Sequence, residues 1–296
     1  MKNLINLRST TAVGYACAFL AAILFGTVSI LGKPPLETLN PLLVSSLSYI
    51  VAAVTLVPFA HGTRIIHTRG DTLLLILISI LGAIIAPLLF FSGLARTSAS
   101  DASLLSVTEI AFSVLLAAVI FGENLNRRKV IAVSIILSSI VIITLSNNNA
   151  DDNRLPELSL GNLMIVGAAV FWALDNNLST SISSRLSASR LVQLKSIIGG
   201  SVLLGVALAL QIPFQMTLYQ LLNILLLGSL GFGASLFFFI NALRNIGTVK
   251  TVLVFSLSSV FGLLFAFLFL GETITIIQIM VVPILFVGIY LLEKQS

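Results

Sequence analysis

Apolar runs of about 20 residues recur along this chain, and a helix crossing the bilayer core needs about that length. Breaking the sequence at charges, prolines and polar clusters leaves ten runs: 11–32, 39–60, 72–95, 99–121, 128–146, 160–181, 190–211, 217–241, 248–270 and 273–292. The chain is 57% hydrophobic and 9% charged, against about 25% charged in an ordinary soluble domain. No water-soluble core could hide so much apolar surface. The expected fold class is an all-α polytopic membrane protein with ten transmembrane helices.

The charge of +5 follows the runs. With the N-terminus in the cytoplasm, Lys2, Arg8, Arg64, Arg69, Arg127, Arg128, Lys129, Arg185, Arg190, Arg244, Lys250 and Lys294 lie inside. Only Lys33, Arg96 and Arg154 lie outside, and Lys195 falls within a span. This is a positive-inside pattern, and an even number of spans returns the C-terminus to the cytoplasm. The basic balance is loop charge that sets topology, and no nucleic-acid partner is expected. The opening MKNLINLRSTT runs into an apolar stretch reaching about Leu31, which suits a retained first span better than a signal peptide. A multi-pass protein of the cell membrane is expected.

The segment NNNADDNRLPELS, 147–159, divides the chain into 1–149 and 150–296, with five spans in each half. At a constant offset of 149, FFSGLARTSASDASLLSVTEIAFSVLLAAVIFGENL from Phe90 aligns with FINALRNIGTVKTVLVFSLSSVFGLLFAFLFLGETI from Phe239. Matched pairs include Phe90/Phe239, Leu94/Leu243, Phe112/Phe261, Gly122/Gly271 and Glu123/Glu272. Five is odd, so the second copy must enter the membrane upside down. Two inverted five-helix repeats are a transporter architecture, with the substrate near the midplane between them.

With GLARTSASDASLLSVTEI and FGE in the first copy, ALRNIGTVKTVLVFS and LGE in the second, and WALDNNLS between them, the chain resembles the drug/metabolite transporter superfamily, in its EamA-type ten-helix branch. Ile110 stands where many members place a proline. The resemblance implies a secondary transporter working by alternating access, most often an exporter of amino acids or related small metabolites. Its relatives carry sugar phosphates or nucleotide sugars. It also implies a central cavity lined by spans 1, 4, 6, 7 and 9.

Asp175 is the residue that most needs an explanation. An aspartate at a span centre costs about 2.5–3.5 kcal/mol, while each leucine contributes only about 0.3–0.6. Asn176 and Asn177 follow it directly. On a helix, Trp172, Asp175, Asn176 and Ser179 share one face, so they form either a polar stripe on a substrate cavity or a structural node between helices. Lys195, across the hairpin of spans 6 and 7, lies roughly 6 Å from the depth of Asp175. It either pairs with Asp175, serving structure or gating, or snorkels to the interface. Glu109 in span 4 has Ser258 as its repeat mate, so the shared fold does not impose the carboxylate. Such a group suits a coupling proton, a substrate ammonium group or an internal hydrogen bond.

Trp172, Tyr49 and Tyr15 combine an apolar face with a polar handle and are candidate cavity walls. Glu123 and Glu272 each follow a glycine at a span end, which suits a helix C-terminus followed by an acid at the start of the next helix. Pro87, Pro283 and the Gly199-Gly200 pair are expected to interrupt helices.

The remaining motifs are spare. Cys17 is single, so no intrachain disulfide forms. His61 and His67, six apart, are a poor metal site. No HExxH, GxSxG or Walker A sequence is present, so no enzyme activity, cofactor or ATP-driven step is expected. Two other classes stay open. One is a carrier of phosphorylated or nucleotide-linked metabolites, which would need several buried cations. The other is a non-transporting membrane sensor or assembly factor. The oligomeric state is open, with a monomer sufficient for the fold.

Overall fold

A computed structural model describes residues 2–59, 69–122, 124–146, 159–183 and 186–293. His61, Arg64, His67, Glu123, Arg154, Arg185, Lys294 and nearly all of the 147–159 linker lie outside the described residues. Each of the ten apolar runs is helical. The helices are α1 (Lys2–Gly26, then Val28–Gly32), α2 (Pro41–Thr55), α3 (Arg69–Leu94), α4 (Ala99–Phe121) and α5 (Arg127–Ser146) in the first half. The second half holds α6 (Leu160–Ser183), α7 (Ala188–Ala209), α8 (Leu218–Ile246), α9 (Thr248–Phe255, then Ser258–Leu270) and α10 (Ile276–Glu293).

Six of these, α1, α3, α4, α7, α8 and α9, are by length and composition apolar enough to cross a membrane. α2 and α10 are shorter apolar helices. Large apolar side chains such as Val54, Leu73, Val119, Leu208, Phe269 and Met280 stand on the outer surface. In water such a belt would be an aggregation surface, whereas in lipid it is the solvent-facing side. Helices suit this setting because each satisfies its own backbone hydrogen bonds.

The packing repeats between halves. α1 packs on α8 and α9, and α6 packs on α3 and α4. α2 lies on α8, and α7 on α3. The pairs α2–α7, α4–α9 and α5–α10 join each helix to its repeat mate. Exchanging the halves turns each of these contacts into another of the set or into itself. The protein is thus a helical membrane fold of two inverted five-helix repeats.

The irregularities repeat as well. α3 widens into a π-helical stretch at Ile80–Ile85, and α8 does so at Leu227–Ala234. α4 breaks at Val107, and α9 breaks at Ser256-Leu257. No proline sits at the α4 break. Instead, Ser103 and Ser106 hydroxyls donate to the carbonyls of Ala99 and Ala102, and Thr108 donates to Leu105. In α9, Ser256 donates to Leu253 and Ser259 to Ser256. Such bonds compete with the helical ladder and bend it. α4 and α9 both end on a left-handed glycine, Gly122 at φ 68° and Gly271 at φ 67°.

The expected helix breaks hold only in part. Pro87 does follow the π stretch of α3. Pro283, however, sits inside an unbroken α10. Gly199 and Gly200 sit inside an unbroken α7 and serve close approach. A Cβ on Gly199 would overlap the Ala83 carbonyl, and one on Gly200 would stand 3.1 Å from the Ser46 carbonyl. Bare backbone at this pair lets α7 lie directly against α2 and α3.

Candidate functional site

A polar node lies where α2, α3, α4, α6 and α7 meet. Lys195 Nζ on α7 donates to Asp175 Oδ2 on α6, forming an ion pair. The aspartate is 1% exposed and the lysine side chain 13%. Ser179, one turn on, donates to Asp175 Oδ1 at 3.1 Å. Both carboxylate oxygens are thereby engaged, which a buried anion requires.

Gly82 closes the third side. A Cβ at this position would overlap the Asp175 carboxylate, so only glycine lets the α3 backbone come this near. Its carbonyl, in the π stretch, accepts from Tyr49 Oη at 3.1 Å and from Trp172 Nε1 at 3.2 Å. π-helical turns recur at functional positions because they re-aim backbone groups. One glycine thus ties α2, α3 and α6 together around the charge pair.

Glu109 stands next to this cluster at the start of the second part of α4. Its Oε1 accepts from Asn176 Nδ2, and among the described residues it has no cation partner. The Asn176 side chain is exposed and Glu109 half-buried. Asn177 points elsewhere, its Nδ2 donating to the Ser113 carbonyl at 3.1 Å, the Ser113 hydroxyl at 2.9 Å and the Ala173 carbonyl at 2.8 Å. The node therefore has a closed part, Asp175–Lys195, and a more open part, Glu109–Asn176.

Aromatic rings wall it. Phe90 lies 5.3 Å from Trp172, and Phe232 of the α8 π stretch lies 5.2 Å from Tyr49. These tilted pairs add packing while leaving the Tyr and Trp polar atoms free for Gly82.

Of the residues singled out in the sequence, Tyr49, Glu109, Trp172, Asp175, Asn176 and Lys195 come together. Tyr15 stays apart, 42% exposed on α1, a helix that packs on α8 and α9. Ser258 is buried at the start of the second part of α9, beside Gly26 rather than Glu109. The face of Trp172, Asp175, Asn176 and Ser179, open to both a stripe and a node reading from sequence, is unevenly buried. Trp172 and Asp175 are buried against α3, Ser179 is half-buried and Asn176 is exposed. Besides α4, α6 and α7, the node draws on α2 and α3. Glu272 does not serve the helix that follows it but the start of α4.

Sequence reasoning missed Gly82, Ser113 and Phe232. Gly82 had a signal, since it is a glycine amid mostly branched apolar residues with another glycine, Gly231, at the repeat offset. Ser113 and Phe232 had none, as each looks like an ordinary span residue.

The repeat offers an internal comparison. The positions equivalent to Asp175, Asn176, Lys195 and Glu109 are Gly26, Thr27, Ser46 and Ser258. There a Cβ on Gly26 would stand 2.7 Å from Phe261 Cβ and 3.0 Å from the Ser258 carbonyl. The same junction in the other half is thus close-packed and uncharged. The repeat packs this junction in one half without the charges.

Residues 12–145 and 159–293 each match the EamA-like transporter family. An uncharacterized transporter of Methanothermobacter thermautotrophicus is 31% identical over 294 residues, 94% of this chain and 85% of its own length. The crystal structure of a further protein superposes with a TM-score of 0.69 over 98% of this chain and 99% of its own, at 17% identity, a likeness of fold alone. Two family matches, one on each half of a twofold-related helical membrane fold, have one meaning: the chain belongs to the EamA-like transporter family and is a membrane transporter.

Proposed function

We propose that the protein is a secondary transporter that exports amino acids or similar small metabolites by alternating access. The halves 1–149 and 150–296 are the units that rock against each other, and both chain termini face the cytoplasm of a cell-membrane protein. Substrate meets the node through Glu109, Asn176, Trp172 and Tyr49, with the Asp175–Lys195 pair as gate or second contact. The carrying observation is that the charged node occurs once, while its repeat equivalent is close-packed around Gly26. Charges in a membrane interior that the fold does not need mark a pathway.

Glu109, half-buried and without a cation partner among the described residues, suits the ammonium group of an amino acid. It is also the node's candidate for a coupling proton. A phosphorylated substrate fits less well. Lys195 is the cation of the node among the described residues, and Asp175 already neutralises it.

Counterflow of labelled amino acids in proteoliposomes tests the reading, comparing the parent with Asp175→Asn. Flux of one group of amino acids, lost in a variant that still folds, is the expected result. No amino-acid flux in the parent overturns the substrate class, and sugar phosphates become the next panel. Flux that survives the substitution makes the pair a structural node.

A further inference from the structure

The face of the bundle formed by the turns at 33–40, 95–98, 210–217 and 271–275 lies away from both chain termini. Polar contacts across it join one half of the chain to the other. Gln220 Nε2 donates to Thr38 at 2.5 Å, Gln278 Nε2 donates to Asp101 at 2.8 Å, and Thr97 donates to Asn162. The fourth contact is the most complete.

The first turn of α4 leaves backbone N–H groups with no helical partner. Ser98 Oγ takes the Asp101 N–H at 3.0 Å. Glu272, from the other half, takes the rest. Its Oε1 accepts from the Ala99 N–H at 2.8 Å. Its Oε2 accepts from the Ser100 N–H at 2.9 Å and the Ser100 hydroxyl at 2.5 Å. A carboxylate here also meets the positive end of the helix dipole. At the turn between α3 and α4, Lys33 Nζ donates to the carbonyls of Leu94, the last residue of α3, at 2.8 Å and of Thr97 at 2.5 Å. The α3–α4 turn is clasped by a cation from its own half and an anion from the other.

The helix behind this clasp is sealed. Residues 99–105 are all buried. Of residues 250–254, the repeat equivalents of 101–105 at the other end of the bundle, only Thr251 is buried. Two segments related by the repeat thus differ, one shut and one looser. One step of an alternating cycle requires that difference.

We propose that Glu272 is the latch of this face: its grip on the start of α4 holds the bundle shut here and must release before the path opens on this side. The proposal rests on the alternating-access reading above. Glu272 belongs to the 271–275 turn and not to the polar node, so it acts by positioning α4.

The test uses the full chain in nanodiscs, with Cys17→Ala and a reporter Ser103→Cys one turn below the latch, and a hydrophilic thiol reagent. Glu272→Gln keeps the shape and removes the charge. Charge-assisted bonds are the strong ones, so reporter labelling is expected to quicken about tenfold or more. Glu272→Asp keeps the charge but shortens the reach, and its rate is expected between the other two. Labelling unchanged in a Gln variant that elutes and melts like the parent overturns the latch. If the Gln variant does not fold, the Asp variant decides, and a rate no faster than the parent's overturns the proposal. Labelling needs no solute. Absent amino-acid flux therefore counts against the export reading alone, and unchanged labelling counts against the latch alone.

Discussion

Lys195 on α7 and Asp175 on α6 form an ion pair whose carboxylate is sealed by the backbone of Gly82 on α3. Removing one partner of such a pair strands a charge, whereas removing both leaves only a gap. Lys195→Met is expected to destabilise the protein by about 3–5 kcal/mol. The double variant Lys195→Met with Asp175→Asn is expected to recover most of that. Thermal unfolding in detergent checks both, and a single variant that melts like the parent would mean that the pair contributes nothing.

Gly82→Ala forces a methyl into the Asp175 carboxylate. Overpacking of this kind costs about 1–3 kcal/mol and moves backbone. The variant is expected to melt lower and to lose flux. Gly205→Ala is the control, because nothing lies within 4 Å of a Cβ there. Equal melting of the two variants would show that α3 does not depend on contact at Gly82.

Tyr49 and Trp172 share one acceptor, the Gly82 carbonyl. Losing either donor leaves the carbonyl satisfied by the other, so Tyr49→Phe or Trp172→Phe is expected to cost about 0.5–1.5 kcal/mol. Losing both strands a buried acceptor, and the double variant should cost more than the sum. A double-mutant cycle on melting curves measures the difference. Strict additivity would refute the shared-acceptor geometry.

Glu109→Gln keeps an oxygen for the Asn176 amide but removes the charge. Stability should change little, since Glu109 is half-buried and has no cation partner among the described residues. Affinity for an amine-bearing substrate should fall about tenfold or more, the size of a lost charge-assisted bond. Competition assays with amino acids and with matched carboxylic acids lacking the amine would read this. Equal losses for both ligand types would place the ammonium elsewhere.

The ten helices and their pairing in two halves were legible because apolar run length and the offset of 149 are one-dimensional signals. Asp175 and Lys195 stood out for the same reason, since charges are rare in apolar runs. The depth of each followed from helical rise alone. What stayed hidden were contacts set by the third dimension. Nothing in the run around Gly82 says that its carbonyl meets two aromatic donors. The destination of Glu272 was also invisible, because the helix start it caps lies in the other half. The bend at Val107 was obscured by the missing proline at Ile110. Serine and threonine hydroxyls produce it instead, and they look ordinary in a membrane helix.

Duplicated folds begin with two copies of every junction, and this one has kept only one of them charged. The copy built around Gly26 and Ser258 is close-packed and uncharged. The proposed cargo site therefore occupies a single corner of the bundle. On that proposal, substitutions in α4, α6 and α7 are expected to change what is carried while the uncharged twin stays packed as it is.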